Sequence, residues 1–244
     1  MTSPKKIIII GATSGIGYEI ARIYQQKGWK VGIAGRRIDK LKELAAFAPA
    51  QTEYRQMDIT QPAAATELKQ LIRQSGGMDV FLLCSGIGSQ NRQLDPAVEL
   101  STVSTNAEGF TRMVVTAFHY FAGQGGGQLA VISSIAGTKG LGAAPSYSAT
   151  KRYQNIYMDA LEQLAVMEKI PVAFTDIRPG FVKTDLLKNG KYPLLMSPRD
   201  TAGKIVHAID HKKRRAVIDW RYAILVFFWK MIPAWLWKRL PIHN

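Results

Sequence analysis

The chain has one cysteine, Cys84, among its 244 residues, so no disulfide can form within one molecule. Near its start it lacks the roughly seven to fifteen apolar residues of a signal peptide, since only Ile7 to Ile10 follow two lysines. These absences are typical of a reducing compartment, and we expect the chain to reside in the cytoplasm. Zinc-ligand spacing and recognised nucleic-acid-binding modules are also missing, so neither a metal site nor a nucleic-acid partner is expected.

Acidic residues are scarce, because 18 Asp and Glu stand against 32 Lys and Arg, which gives a formal charge of +14. Such a charge favours anionic partners, which could be nucleic acid, an anionic membrane surface or a phosphorylated cofactor. The basic residues are spread along the chain, and nucleic acid has only the charge in its favour. With 47% apolar and 20% charged residues, a chain of this length is expected to form one globular domain.

Apolar runs of strand length alternate with segments of helical period from start to finish. The predicted strands cover residues 6–10, 30–34, 53–56, 80–84, 128–132, 172–177 and 216–218, and the predicted helices cover 16–27, 38–47, 63–74, 109–121, 147–168 and 198–211. Because such alternation produces right-handed βαβ units, it predicts an α/β fold with a doubly wound, seven-stranded parallel sheet. The strand Ile7 to Ile10 is apolar throughout, as a sheet covered on both faces requires.

A glycine-rich turn follows the first predicted strand, and a helix opens directly behind it. The turn reads Gly11-Ala12-Thr13-Ser14-Gly15-Ile16-Gly17. Glycines permit a tight turn and close backbone approach, so that amides at the helix start can face a pyrophosphate. The spacing differs from the common GxGxxG pattern, and the alternative is a purely structural glycine turn.

The second predicted strand leads into Gly35, where many NAD-binding proteins of this architecture place an acid for the ribose 2′-hydroxyl. Here Arg36 and Arg37 follow instead. A pair of guanidinium groups can bind a 2′-phosphate by charge and by paired hydrogen bonds, so we expect NADP(H) in preference to NAD(H). Two alternatives stay open: Arg37 simply faces solvent at the start of a helix, or Asp39 serves a ribose.

Tyr147 and Lys151 stand four residues apart on a predicted helix, thirteen residues after Ser134. A helix brings positions i and i+4 onto one face, so the ammonium can stabilise the phenolate. A phenol with a pKa of about 10 is a poor proton donor or acceptor at neutral pH, and a fixed positive neighbour corrects this. The alternative is a solvated pair, since many surface helices carry Tyr and Lys at this spacing.

With these residues in place, the chain from about Lys5 to Thr201 resembles a classical short-chain dehydrogenase/reductase. The glycine motif of that family matches at Gly11, Gly15 and Gly17, and its catalytic set matches at Asn106, Ser134, Tyr147 and Lys151. The resemblance implies a Rossmann-type fold and a homodimer or homotetramer. It also implies one dinucleotide-binding and catalytic domain over residues 1–219, followed by an apolar, aromatic, helical segment over residues 220–244, which we name the C-terminal tail.

The glycine turn, the arginine pair and the resemblance together define the expected cofactor-binding set. Its members are Gly11, Thr13, Ser14, Gly15, Ile16, Gly17, Arg36, Arg37, Asp58, Ile59, Ser85, Gly86, Tyr147, Lys151, Pro179, Gly180, Val182 and Thr184. In the family, the positions of Asp58 and Thr184 meet the adenine and the nicotinamide carboxamide respectively.

Two departures from the family pattern concern residues outside the chemistry. Ile10 stands where the family commonly has threonine before the first glycine, and Cys84-Ser85-Gly86-Ile87 stands where it commonly has Asn-Asn-Ala-Gly. The side-chain ties that these positions usually make must be replaced or absent, which puts local rigidity and cofactor affinity in doubt.

The resemblance implies hydride transfer between nicotinamide C4 and a carbonyl carbon. Tyr147 would exchange the proton, Ser134 would hydrogen-bond the carbonyl oxygen, and Lys151 would lower the Tyr147 pKa and hold the nicotinamide ribose. Asn106 would fix a water for proton relay. We therefore expect NADPH-dependent reduction of a carbonyl, or the reverse oxidation of a secondary alcohol, on a small hydrophobic substrate. The alternative is an NADPH-binding sensor or a membrane-attached scaffold without significant turnover.

The substrate is expected between loops at residues 88–94, 136–144 and 186–196. The last loop could form an apolar lid, or its side chains could pack into the core. Its apolar members are Leu186, Leu187, Tyr192, Leu194, Leu195 and Met196.

The C-terminal tail holds four of the five tryptophans, and Lys230 and Pro233 break its apolar run short of the roughly 20 residues that span a membrane. It predicts a helix lying on an anionic membrane, with the basic run at residues 212–215 adding charge. This would place the chain at the inner face of a membrane. The alternatives are packing at a subunit interface or over the substrate pocket.

Overall fold

The computed structural model describes residues 4–187, 192–240 and 242. Its strands are β1 (Lys6–Ile10), β2 (Lys30–Gly35), β3 (Thr52–Gln56), β4 (Val80–Leu83), β5 (Gly127–Ile132), β6 (Val172–Pro179) and β7 (Arg215–Ile218). Its α-helices are α1 (Gly15–Gln26), α2 (Ile38–Ala45), α3 (Ala64–Gln74), α4 (Pro96–Val103), α5 (Phe110–Gln124), α6 (Pro145–Met167), α7 (Pro198–Asp210), α8 (Trp220–Met231) and α9 (Ala234–Trp237). A π-helical turn (Ser104–Gly109) joins α4 to α5, and a 3₁₀ turn (Ile135–Thr138) follows β5.

The seven strands form one parallel sheet in the order β3-β2-β1-β4-β5-β6-β7. The chain winds outward from β1 in one direction, and then returns to β4 on the other side of β1. Ligands of such sheets bind beyond the carboxyl ends of the strands at this point of reversal. The doubly wound, Rossmann-type, seven-stranded sheet predicted from the sequence is therefore confirmed.

Strand β1 shows why its sequence lacks polar residues. Ile7 and Ile9 face the apolar layer that includes α1 and α7, whereas Ile8 and Ile10 face the layer that includes α3 and α5. All four side chains are fully buried. Successive residues of a strand point to opposite faces, so a strand in the middle of a doubly covered sheet has no position for a solvated side chain.

The largest departure from the predicted elements is α4 with the π-helical turn behind it. Asp95 caps α4, because its carboxylate accepts a hydrogen bond from the Ala97 amide at 2.9 Å, and Pro96 occupies the first helical position. This Asp-Pro pair is a start signal that the apolar period alone did not reveal. The other predicted helices and strands are present, with ends that differ by at most three residues.

The described part of the C-terminal tail folds as α8 and α9. Among the described residues, no helix has the length and apolar character needed to cross a membrane. Helix α8 instead inserts Tyr222 and Val226 into the core layer of α1 and α7.

Candidate active site

A cavity of about 650 Å³ lies at the carboxyl ends of the central strands, where the sheet order reverses. It is lined by the glycine turn after β1, the arginine pair after β2, and the segments that follow β4, β5 and β6. Each of the eighteen residues predicted to bind the cofactor lines this cavity, as does Ser134. Asn106 lies behind its wall, fully buried.

The glycine turn adopts a conformation that only small residues allow. Gly11 and Gly15 have φ angles of +92° and +57°, in the left-handed region that favours glycine. A Cβ on Gly17 would come within 2.3 Å of the Gly11 carbonyl oxygen, so helix α1 can start this close to β1 only with glycine there. The turn therefore brings the start of α1 to the cavity wall, where its free amides suit a pyrophosphate.

The missing side-chain ties around this turn are replaced by the main chain. The Ile10 carbonyl accepts hydrogen bonds from the amides of Cys84 and Ser85, at 2.8 and 3.1 Å. The loop after β4 is also held from below, because the side chain of Asn106 accepts from the Ile87 amide at 2.9 Å and donates to the Ile87 carbonyl at 2.7 Å. The segment that departs from the family pattern is thus fixed by other bonds.

The two arginines after β2 differ in how they are held. The Arg37 guanidinium donates to the hydroxyls of Thr13 and Ser14, at 2.9 and 2.6 Å, and so lies across the glycine turn. It therefore does not simply extend into solvent, although its side chain is half exposed. Arg36 is exposed at the cavity edge, and its carbonyl accepts a hydrogen bond from Gln56 at 2.9 Å.

Tyr147 packs its ring against the loop after β4. A Cβ on Gly88 would lie 2.4 Å from the ring, so glycine at this position makes room for the tyrosine. Burial raises the pKa of Tyr147, and a hydrogen bond with Ser134 partly opposes this. The Ser134 hydroxyl is itself positioned by the Ala136 amide, from which it accepts at 3.1 Å.

Lys151 lies beside Tyr147, and its ammonium hydrogen-bonds other groups. Its ammonium lies 5.8 Å from the centroid of the Tyr147 ring and donates to the Ile132 carbonyl and to Gln154 Oε1, both at 3.1 Å. Burial lowers the pKa of Lys151 to about 8, while the charge of Asp176 acts in the opposite direction. The lysine is therefore a buried amine whose charge depends on the groups that contact it.

Gln154 is a residue that the sequence reasoning missed. It is buried, accepts from Lys151, and donates from Nε2 to the main-chain carbonyl of Asn106 at 2.8 Å. That carbonyl belongs to the π-helical turn, where the regular α-helical hydrogen-bond pattern is interrupted. Gln154 thus links the Lys151 ammonium to the main chain of Asn106 through its side chain. The only signal in the sequence was a polar residue three positions after Lys151 on the same helix face.

A second buried polar cluster lies at the end of β5, next to Ser134. Asp176 accepts hydrogen bonds from Ser133 at 2.5 Å and from Arg178 at 2.5 and 2.8 Å, and Asn155 donates to the Ser133 hydroxyl at 2.9 Å. Asp176 is fully buried, so these bonds replace its lost hydration. The cluster fixes the end of β5, from which Ser134 enters the cavity.

The predicted lid loop divides into two parts. Leu186, Leu187 and Tyr192 line the cavity, as an apolar lid requires. Leu194 and Leu195 are among the exposed apolar residues, so neither alternative describes them, whereas Met196 is buried in the core as the second alternative expects. Residues 188–191 of this loop lie outside the described residues.

The C-terminal tail also contributes to the cavity. Trp229 and Ile242 line it, and the Trp237 indole donates to the Gly140 carbonyl at 2.7 Å. Lys139 reaches the tail from the other side by donating to the Ile232 carbonyl at 2.8 Å. The tail is thus tied to the loop after β5, which is one of the three loops expected around the substrate.

Fold and site together define a nucleotide-binding oxidoreductase of Rossmann type, with serine, tyrosine and lysine at the centre of its cavity. The sequence model of the short chain dehydrogenase family matches residues 5–192, and the chain belongs to that family.

Similar proteins agree with this assignment. An uncharacterized oxidoreductase of Mycobacterium tuberculosis is 28% identical over 246 residues, with 96% of each chain covered. Dehydrogenase/reductase SDR family member 7B of Bos taurus is 27% identical over 259 residues, covering 96% of this chain and 79% of the relative. Among solved structures, a short-chain dehydrogenase from Sphingobium yanoikuyae in complex with NADPH has a TM-score of 0.80 at 18% identity, with 98% of each chain covered. A short-chain type dehydrogenase/reductase from Mycobacterium ulcerans has a TM-score of 0.77 at 22% identity, with 89% of each chain covered.

Proposed function

We propose that this protein catalyses NADPH-dependent reduction of a carbonyl, or the reverse oxidation of a secondary alcohol, on a small hydrophobic substrate. The observation that carries the proposal is the position of Tyr147, in a cavity wall between the Ser134 hydroxyl and the Lys151 ammonium. A protein that only senses NADPH needs the glycine turn and the arginines, but it has no use for a buried proton donor. The complete set therefore favours an enzyme over the sensor or scaffold.

The residues around the cavity suit a dinucleotide phosphate. The glycine turn offers free amides to the pyrophosphate, and Gly17 lets the start of α1 pack closely against the Gly11 carbonyl. Arg36 and Arg37 supply positive charge where the adenosine ribose of a Rossmann-type protein lies, and Asp58 and Thr184 line the same cavity. The NADPH in the Sphingobium protein of the same fold supports this choice. When bound, the cofactor supplies or accepts the hydride.

The chain's own residues account for the proton. Ser134 and Tyr147 would hydrogen-bond the substrate oxygen, and Tyr147 would donate its phenolic proton to that oxygen as negative charge develops on it. Lys151 would stabilise the resulting phenolate by its charge. A side-chain amide is a poor relay for protons, so we assign Gln154 the task of holding the ammonium in place.

Apolar side chains in the cavity wall near Leu187 and Tyr192 support a hydrophobic substrate. Leu141, Leu187 and Tyr192 line it together with Trp229 from the C-terminal tail. Apolar walls with a few convergent polar groups are typical of small-molecule sites.

We expect Arg36→Asp to reduce kcat/KM with NADPH by about 10- to 100-fold, because it replaces a charge-assisted partner of the 2′-phosphate with a repelling carboxylate. The same substitution should change kcat/KM with NADH by less than about threefold. Initial rates with both cofactors on one carbonyl substrate measure this. Asp39→Asn is the matched control, and a selective loss of NADH activity in it would favour a ribose role for Asp39. Equal losses of both cofactors in Arg36→Asp would contradict the assignment.

Gln154→Leu should move the basic limb of the kcat–pH profile to lower pH, because the Lys151 ammonium loses an acceptor and its pKa falls further. Gln154→Glu should move the same limb to higher pH, because a carboxylate stabilises the ammonium. A merely structural role would change the melting temperature of both variants without moving the limb in opposite directions. Turnover measured from pH 6 to about 10 distinguishes these outcomes.

We also propose that the chain forms a homodimer or homotetramer in the cytoplasm. Exposed apolar side chains along α6, among them Ile156, Leu164 and Val166, support an interface between copies. The solution mass measured by light scattering tests this, and a monomer at micromolar concentration would contradict it.

A further inference from the structure

Helix α8 of the C-terminal tail turns large apolar side chains toward solvent. They recur at intervals of three and four residues, so they lie on one side of the helix. These residues, which we name the outer stripe, are Trp220, Ile224, Phe227, Phe228 and Met231, each half or more exposed. In an ordinary surface helix the apolar side faces the core, whereas α8 has a second apolar side that the described part of the chain leaves uncovered.

The opposite side of α8 anchors the helix, so the outer stripe is not the result of a detached segment. Tyr222 is fully buried, and its ring lies where a Cβ on Gly180 would come within 2.2 Å. Its hydroxyl accepts from the Phe181 amide at 3.0 Å. Trp229, on the same inner side, lines the cavity, and its ring centroid lies 5.4 Å from that of Trp237.

The apolar surface continues beyond α8 and is accompanied by basic side chains. Trp235, Leu236 and Leu240 are also among the exposed apolar residues. Residues 220–244 contain no Asp or Glu, and their basic residues are Lys230, Lys238, Arg239 and Arg221, the last of which pairs with Asp219 directly before the tail. Tryptophan with lysine and arginine around an apolar side is the composition of helices that lie in the headgroup region of an anionic bilayer.

The basic run at residues 212–215 does not belong to this surface, contrary to the sequence-based expectation. Arg214 pairs with Asp159 and Glu162, and Arg215 also pairs with Asp159. The run lies at the start of β7 and the tail begins beyond its end, so the two lie at opposite ends of this strand. The charge that accompanies the outer stripe comes from the tail itself.

A second copy of the chain fits the outer stripe less well than lipid does. In a two-fold symmetric contact each stripe would meet its own equivalent, which brings like-charged tails together. The tail has no carboxylate to pair with Lys230, Lys238 or Arg239 of another copy. Anionic lipid headgroups supply that missing negative charge.

We propose that the outer stripe docks on an anionic lipid bilayer. Trp229 lies on the inner side of the same helix, so docking places the cavity beside the bilayer surface. The substrates would then be lipophilic carbonyl compounds that partition into the membrane. The docking itself is independent of the proposed function, whereas this substrate class rests on it.

Flotation of the full chain with vesicles tests the docking. We expect binding to phosphatidylcholine vesicles that contain phosphatidylglycerol and much weaker binding to phosphatidylcholine alone, because the tail is basic. Phe227→Ser with Phe228→Ser should lower the partition coefficient on the anionic vesicles at least about tenfold, since two exposed aromatic rings are lost from the contact. Turnover of a water-soluble carbonyl should be unchanged in this double variant. Turnover of a long-chain ketone dissolved in the vesicles should fall with the binding.

Leu100→Ser with Val103→Ser is the matched control, because these side chains are also apolar and exposed but lie on α4 rather than in the tail. It should float as the native chain does. Absence of native flotation, or equal flotation of the tail variant, would overturn the docking. A loss of solution mass in the tail variant without native flotation would assign the outer stripe to a second copy and also overturn it. Flotation without turnover of any carbonyl would leave the docking in place and reject the proposed function.

Discussion

Replacing Tyr147 with phenylalanine should lower kcat for carbonyl reduction by about 10²- to 10⁴-fold while NADPH still binds. The substitution removes one hydroxyl and keeps the ring that packs against Gly88, so the wall of the cavity is preserved. The variant lacks the phenolic proton that Tyr147 would donate to the substrate oxygen during hydride transfer. Because the hydroxyl has no part in the glycine turn or the arginine pair, the dissociation constant of NADPH should change by less than about threefold.

The measurement pairs NADPH oxidation, followed by absorbance, with NADPH binding followed by fluorescence. Tyr153→Phe is the matched control, because Tyr153 lies on the same helix and bonds Thr111 at the surface. It should keep native turnover. Full turnover in Tyr147→Phe would refute the assignment of the proton donor, and absence of turnover in the native chain across a broad carbonyl panel would favour the sensor.

Replacing Lys151 with methionine should abolish most turnover and at the same time stabilise the fold near neutral pH. Methionine keeps the unbranched side chain and removes the charge. Burial holds the pKa of Lys151 at about 8 in the folded chain, against 10.5 for an ordinary lysine, so the folded state disfavours the charged form. A difference of this size corresponds to about 3 kcal/mol, and the lost hydrogen bonds to Ile132 and Gln154 reduce the expected gain to about 1–2 kcal/mol.

The pH dependence follows from the same pKa. Between about pH 8 and 10.5 the unfolded chain binds a proton at Lys151 that the folded chain has released, so the native protein gains stability as pH rises through this window. The advantage of Lys151→Met should therefore be largest below pH 8 and disappear toward pH 10.5. Urea unfolding of both proteins at pH 7 and at about pH 10 measures this, with Lys42→Met as an exposed control. A stability difference that does not change with pH would contradict the buried-amine interpretation.

Local signals in the sequence predict those parts of the site that are set by short segments. The glycine turn depends on Gly11, Gly15 and Gly17 with a strand before and a helix behind, and all three lie within seven residues. The uniform apolar character of β1 likewise predicts a strand covered on both faces. Such features need no knowledge of distant residues, and the structure has them in the predicted positions.

Features that depend on distant partners could not be predicted. Gln154 gains its position from the Asn106 carbonyl, which lies 48 residues earlier in the π-helical turn. The basic run at 212–215 reads as one charged surface in the sequence, but Asp159 and Glu162 on α6 neutralise half of it. The composition of α8 indicates apolar contact without indicating which side is covered, and only the packing of Tyr222 separates the two sides.

The main-chain bonds from Cys84 and Ser85 to the Ile10 carbonyl have a consequence for how this sequence can vary. Because main-chain amides make these hydrogen bonds, the side chains at positions 84 and 85 are not needed for them. Proline is the residue that cannot make these bonds, because it has no N–H group. The side chains of the family motif can therefore change at this loop without changing the geometry of the cofactor cavity. A search that requires asparagines there would overlook chains that build the same cavity.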